Sequence, residues 1–254
     1  MKKLKGIIFD MGSTLIEFEN STWKVLGERS AQRSYNFLKD KGLIKLDFNI
    51  YSALLQNLFS SAFELSEQTL EEFRFEDLAK DFFKKLNLSL QDGDYTGFLK
   101  AYYQPITEQV TLIEGAIEVL SYFKENGYKL GLISNTIFPA KFHLQELKRY
   151  GLYPYFDLIL FSSEAGYKKP HPVIFKQALD NLKIESGESI FIGDKLIEDI
   201  GGAKNMGMKA ILKLKEGRDY SSPITPDGTI MNLTELPKMV NRINHQSFED
   251  KEKI

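Results

Sequence analysis

The sequence predicts an α/β protein: a doubly wound parallel sheet interrupted by an inserted all-helical domain. Three observations carry that reading. Short apolar runs alternate with amphipathic stretches of helix length. The alternation stops between about Glu19 and Pro105, where only helical patterns occur. Polar residues of complementary charge stand just past the ends of the apolar runs.

The apolar runs are Gly6–Phe9, Tyr128–Ser134, Phe156–Phe161, Ser189–Gly193, Lys209–Leu214 and Thr229–Asn232. Each is short and leads into polar or Gly-containing sequence, as strands buried on both faces do. Helices are expected over Ile113–Asn126, Ala140–Tyr150, Pro172–Leu182 and Ile197–Gly207. A last one is expected over Thr234–Ile243, with Thr234 as its cap and Pro237 in its first turn. That rhythm builds a parallel sheet covered on both faces, which binds ligands at the carboxyl ends of its strands. In the interrupted region the helical patterns are Trp23–Lys39, Tyr51–Phe63, Phe75–Leu86 and Tyr95–Tyr103. Asn20, Ser21 and Thr22 offer cap chemistry for the first, and Gly42 ends it. Residues 1–18 and 106–245 are therefore expected to form the core, and 19–105 a helical cap over the strand ends. Hinges are expected near Glu17–Glu19 and Pro105–Glu108, and 246–254 is read as a disordered, charged tail.

Composition narrows the class. Thirty-three Lys and Arg against thirty-five Asp and Glu give a formal net charge of −2, so no strong positive field is available to hold nucleic acid. Cysteine is absent, which removes disulfide scaffolds, thiolate metal sites and a cysteine nucleophile. The apolar run after the basic start is too short for a secretory signal, and no run is long enough to span a membrane. A cytoplasmic protein without membrane or nucleic-acid partners is expected; oligomeric state is left open.

The chemistry lies at the strand exits. Asp10 follows the first in FDMGSTL, Ser134 the second in LISNT, and Lys169 the third in GYKKPHPVIF; Asp194 follows the fourth in FIGDKLIED, with Asp199 five residues on. Singly, these are ordinary turn, cap or surface residues. Together they converge on one crevice of a parallel sheet. Clustered carboxylates need a hard cation such as Mg²⁺, a carboxylate can attack phosphorus, and a hydroxyl, a lysine and loop amides can hold phosphoryl oxygens. The set suits phosphoryl transfer on a small phosphorylated substrate.

With FD, SNT, KPHPVIF and GD-x4-D at four successive strand ends, the sequence resembles the haloacid dehalogenase-like hydrolase superfamily, and the helical insert falls where that family's cap sits. The resemblance implies a Rossmann-like core and a role for each motif residue. Asp10 is then the nucleophile and a Mg²⁺ ligand. Ser134, Asn135, Lys169 and Thr14 serve the phosphoryl group, Lys169 also holding Asp10. Asp194, Asp199 and the Gly12 carbonyl complete the metal site.

One position departs from the family. Most of its phosphatases carry a second Asp two residues after the nucleophile, as general acid and base; here Gly12 stands there, and Ser13 replaces the usual Gly. A general acid–base contributes about 10²–10⁴-fold. The preferred reading is a phosphohydrolase that favours good leaving groups or takes its acid from elsewhere, through a phospho-Asp10 intermediate. The alternatives are a catalytically impaired phosphate-binding module and a carbon-centred hydrolase, either 2-haloacid dehalogenase or phosphonatase-like. The retained pair Asp194 and Asp199 speaks against the dehalogenase. Glu17 and Glu19 are expected to face solvent, His143 to lie on a helix surface and His171 on the rim. Trp23 and Arg29 are read as core stripe and solvated face, and the later cap aromatics as packing.

Overall fold

The computed structural model describes residues 3–249. In chain order the elements are β1 (Gly6–Phe9), β2 (Ile16–Glu17), α1 (Trp23–Asp40), α2 (Phe48–Thr69), α3 (Phe75–Lys85), α4 (Asp92–Glu108), β3 (Thr111–Leu112), α5 (Ala116–Glu125), β4 (Lys129–Ser134), α6 (Ala140–Arg149), β5 (Leu158–Phe161), α7 (Ser162–Ala165), α8 (Pro172–Leu182), β6 (Ser189–Gly193), a π-turn (Leu196–Gly201) running into α9 (Gly202–Asn205), β7 (Lys209–Lys213), β8 (Gly228–Ile230) and α10 (Leu236–Glu249).

Six strands form one parallel sheet in the order β5-β4-β1-β6-β7-β8. The apolar runs alternate between two cores. Ile7 and Phe9 join Leu130, Leu132, Ile190 and Ile192 on one face, while Ile8 joins Ile133, Phe191 and Ala210 on the other. A strand buried on both faces has no polar side to display, which is why GIIF reads as a continuous apolar run. Phe9 pairs with Leu132 and with Ile192, so β1 lies centrally and its tip opens between the tips of β4 and β6.

Between β2 and β3 the chain builds four helices packed through aromatic rings. Phe75 lies within 4.6 Å of Tyr102, ring centroid to centroid, and stacks on Phe59 and Phe98. Phe138, just past β4, reaches up to Phe75, Tyr102 and Tyr103. Most of the later aromatics pack as expected, although Phe63 is 44% exposed. Burying such a ring fully stabilises by roughly 1.5–3 kcal/mol, so this cluster anchors the helices to the sheet end as well as to each other.

Several boundaries differ from expectation. β2 and β3 form a two-residue antiparallel pair at the neck of the insert. Asn20 donates to the Gln109 carbonyl and to Thr111 Oγ1, and Ser21 N–H donates to Gln109 Oε1, lacing the two crossings together. α4 continues through Pro105 to Glu108, so the expected second hinge and the 105/106 boundary fall inside a helix. At the other end Asn232, not Thr234, caps the last helical segment, sharing a reciprocal capping box with Glu235. α10 runs to Glu249, which makes helical the first residues of the expected tail; 250–254 lie outside the described residues. No helix among the described residues is long and apolar enough to cross a membrane.

Candidate active site

Asp10 leaves β1 with its N–H donating to the Ile192 carbonyl of β6, which carries the register one residue beyond the strand. Its Oδ1 accepts from Lys169 Nζ at 2.6 Å and its Oδ2 from Thr14 Oγ1 at 3.1 Å. Lys169 is only 2% exposed and also donates to Asp199 Oδ1 at 2.7 Å and to the Ile133 carbonyl at 3.1 Å. All three ammonium hydrogens are thereby used. Burial alone would lower the Lys169 pKa, but Asp10 and Asp199 outweigh it and raise it, so the ammonium stays charged. Burial pushes the Asp10 carboxyl up, Lys169 pulls against it, and Asp199 adds to the rise.

The π-turn after β6 brings Asp199 back over its own strand end. Asp199 Oδ2 accepts the N–H groups of Asp194 at 3.0 Å and Lys195 at 2.9 Å. A Cβ on Gly193 would lie 2.4 Å from the Asp199 carboxyl carbon, so only glycine leaves room for that return. Asp194 is 2% exposed and faces the guanidinium of Arg218, which also binds Glu19 at 2.9 Å. Asp10, Asp194 and Asp199 each offer an oxygen within 4.8 Å of the others. Three buried carboxylates against Lys169 and Arg218 leave one negative charge over, and oxygen donors at this spacing fit a hard divalent cation. Asp199 accepts three hydrogen bonds and Asp10 two, so more of the spare acceptor capacity lies with Asp10 and Asp194.

The remaining expected residues divide. Ser134 ends β4 and lines a cavity of about 890 Å³ together with Asp10, Gly12, Asn135, Lys169 and Asp194. Asn135 spans Lys169 on both sides: Oδ1 accepts its N–H at 2.8 Å and Nδ2 donates to its carbonyl at 3.0 Å. Thr14 is fully buried and outside the cavity wall, which corrects its expected contact with phosphate. Its hydroxyl is turned to Asp10 instead. Ser13 adopts the left-handed φ of 55° that glycine tolerates best, and it is held there by Lys213 on its carbonyl and Lys215 on its hydroxyl.

Three readings of individual residues are revised. Glu19 is exposed as expected and Glu17 half-buried, but both are ion-paired: Lys215 binds Glu17 at 3.1 Å and both Lys215 and Arg218 bind Glu19. His143 is buried, not on a helix surface. Nδ1 lies 3.0 Å from Glu146 Oε2 and Nε2 lies 2.7 Å from Thr136 Oγ1, while Tyr103 of α4 donates to Glu146 at 2.7 Å. Trp23 is 52% exposed and stands on the cavity wall, whereas Arg29 does not line it.

The family model described as haloacid dehalogenase-like hydrolase matches residues 7–213. The chain belongs to the haloacid dehalogenase-like hydrolases. A glyceraldehyde 3-phosphate phosphatase from Pyrococcus furiosus is 28% identical, over 99% of this chain and 98% of its own. Among solved structures, a HAD phosphatase from Thermococcus onnurineus is similar with a TM-score of 0.62 and 26% identity, over 93% of this chain and 98% of its own. A 2-haloacid dehalogenase from Pseudomonas syringae pv. Tomato DC3000 shares the fold with a TM-score of 0.70 and 21% identity, over 94% of this chain and 99% of its own. As a haloacid dehalogenase-like hydrolase, the protein is an enzyme with a Rossmann-like core and its helices inserted after the first strand. Lys213, Lys215 and Arg218 escaped the sequence reading, because they lie some two hundred residues from Ser13, Glu17 and Glu19, which they bind. His143 and Glu146 did carry a signal, a charged-capable pair at i, i+3 on one helix.

Proposed function

We propose that this hydrolase is a Mg²⁺-dependent phosphohydrolase of small-molecule phosphate esters, working through a phospho-Asp10 intermediate under a cap formed by the four helices between β2 and β3. The observation that carries the proposal is Lys169, buried between Asp10 and Asp199 with Asp194 alongside. A carbon-centred dehalogenation has no use for that acidic cluster, whereas phosphoryl transfer needs both its charge and its nucleophile. Asp10 and Asp194, with the Gly12 carbonyl, would hold the metal, and Asp199 would order its surroundings. Mg²⁺ bound there supplies positive charge against the phosphoryl oxygens and the carboxylates.

Lys169 and Thr14 fix the two oxygens of Asp10, so the attacking lone pair is aimed before substrate arrives. The Ser134 hydroxyl and the backbone amides of the following loop receive the remaining phosphoryl oxygens. Asn135 keeps Lys169 in register with that loop. As phosphorus leaves the ester oxygen it bonds to Asp10, and water then releases phosphate. The cavity, with Trp23, Phe59 and Tyr102 on its helical side, accommodates a small organic remainder. The Pyrococcus relative's name makes triose phosphates the first natural esters to try.

Release of p-nitrophenol from p-nitrophenyl phosphate tests the reading. Turnover is expected with Mg²⁺, lost with EDTA and lost in Asp10→Asn. Metal-independent turnover, or full activity in Asp10→Asn, would contradict it.

A further inference from the structure

With Gly12 in place of an acid, the phosphohydrolase needs another group to protonate the departing oxygen and later to deprotonate water. We propose that Glu72, on the segment between α2 and α3, is that general acid and base. The inference rests on the phosphohydrolase reading above.

Glu72 lines the same cavity as Asp10, Ser134 and Lys169. Its segment is fastened down from both sides rather than left to swing. Its own N–H donates to the Gly166 carbonyl, Lys168 N–H donates to the Leu70 carbonyl, and Phe75 N–H donates to the Ile137 carbonyl. Residues 70–72 thus run antiparallel to the stretch that leads into Lys169, with Glu71 bridged to Tyr167. The Glu72 carboxyl accepts from Ser162 Oγ at 2.7 Å, and that hydroxyl accepts the Thr136 N–H at 2.7 Å. Phe161 pairs with Ser134, so the Glu72 carboxyl stands over the tip of β5, one strand beyond Ser134 and on the opposite side of Asp10 from Asp194. About 10 Å, two strand spacings, separates β5 from β1. Glu72 and Asp10 border the same cavity, so a phosphoryl group on Asp10 would extend toward Glu72 across that gap.

Glu28 of α1 apart, the other acids of the cavity are spoken for, Glu198 by Lys195 at 3.5 Å among them. Asp10, Asp194 and Asp199 form the cluster, Glu19 is bound by Lys215 and Arg218, and Glu67 by Lys168 at 2.5 Å. His143 has both ring nitrogens engaged by Glu146 and Thr136. At Gly12 itself an added Cβ would meet nothing closer than Phe18 Cδ2 at 3.8 Å, so a side chain can be started there without a clash. Burial raises the pKa of Glu72 against the opposing pull of Ser162, Lys168 and the Phe73 amide, with Glu67 adding to the rise. A carboxyl whose pKa is raised by burial is better suited to giving and taking a proton than a free one.

In the first step the Glu72 carboxyl gives its proton to the ester oxygen as the P–O bond to the leaving group breaks and the Asp10 Oδ–P bond forms. In the second, the Glu72 carboxylate takes a proton from water as its oxygen bonds to phosphorus and the Asp10–phosphorus bond breaks. Both groups return to their starting states.

The test compares wild type, Glu72→Gln, Gly12→Asp and the double variant on p-nitrophenyl phosphate, phenyl phosphate and an alkyl phosphate. Glu72→Gln is expected to lose about 10²-fold or more in kcat on the alkyl ester, much less on p-nitrophenyl phosphate, and to bind inorganic phosphate unchanged by calorimetry. Gly12→Asp should restore the alkyl activity of Glu72→Gln. The fall in wild-type alkyl-ester activity as pH rises through the Glu72 pKa should vanish in Glu72→Gln. An equal loss on all three esters, no loss on any, or no rescue by Gly12→Asp would overturn the assignment while leaving the phosphohydrolase intact. Wild type inert on all three would instead remove the phosphohydrolase reading itself.

Discussion

Lys169 is the residue on which the site's electrostatics turn. Its ammonium, 2% exposed, separates two buried carboxylates that would otherwise face each other across a low-dielectric gap. Removing one partner of such a set leaves uncompensated buried charge, which costs about 3–5 kcal/mol. Lys169→Met should therefore unfold at markedly lower urea, by roughly that amount, in metal-free buffer; an unchanged midpoint would mean that the carboxylates are already neutral. The five principal residues, Asp10, Ser134, Lys169, Asp194 and Asp199, were legible because each follows a strand whose apolar run is unmistakable. What was not legible is which atom each partner touches. Thr14 serves Asp10 and Asn135 serves Lys169, roles fixed by rotamer and loop path that spacing does not encode. Glu72 gave no signal, because it sits in a helix connector whose place over β5 depends on three tertiary backbone hydrogen bonds.

At the scale of elements, periodicity found what was long and missed what was short. β1, β6, α1, α3 and α8 are where the pattern put them to within a residue, whereas α2 (Phe48–Thr69) and α4 (Asp92–Glu108) outrun the expected Tyr51–Phe63 and Tyr95–Tyr103 at both ends. The two-residue pair β2 and β3 is too short to show alternation, and Pro105 reads as a stop although α4 passes through it. The sheet's far edge offers a test of how side chains fasten elements. Asp227, just before β8, accepts from Lys209 Nζ at 3.0 Å, the Ala210 N–H at 3.0 Å and Lys204 Nζ at 3.2 Å, tying α9 and β7 together. Burial tends to raise its pKa, but the bonds to Lys209 and Ala210 outweigh that and lower it. Its contribution is thus full above the unfolded carboxylate pKa of about 3.9 and is lost as pH falls through the lower folded value. Thermal melts of Asp227→Asn should show a shallower loss of stability below that pH than wild type. Parallel acid limbs would mean that Asp227 is not held in its charged form.

Across the whole molecule, the two crossings at the neck, the Phe138 cluster and the Glu72 segment hold the helices down on the strand tips. The cavity takes Asp10, Lys169, Asp194 and Asp199 from the sheet ends and its aromatic wall, together with Glu72, from the inserted helices and their connectors. The same architecture is shared with a dehalogenase and with a phosphatase, so the fold leaves the reaction to be decided by side chains. The central claim, that Asp10 takes up a phosphoryl group, is tested most directly by acid-quenching the enzyme during turnover of p-nitrophenyl phosphate with Mg²⁺ and mapping its peptides by mass spectrometry. The account predicts one phosphoryl group on the peptide containing Asp10, absent in Asp10→Asn. Steady turnover with that peptide unmodified at every quench time, or a phosphoryl group on another residue, would contradict it.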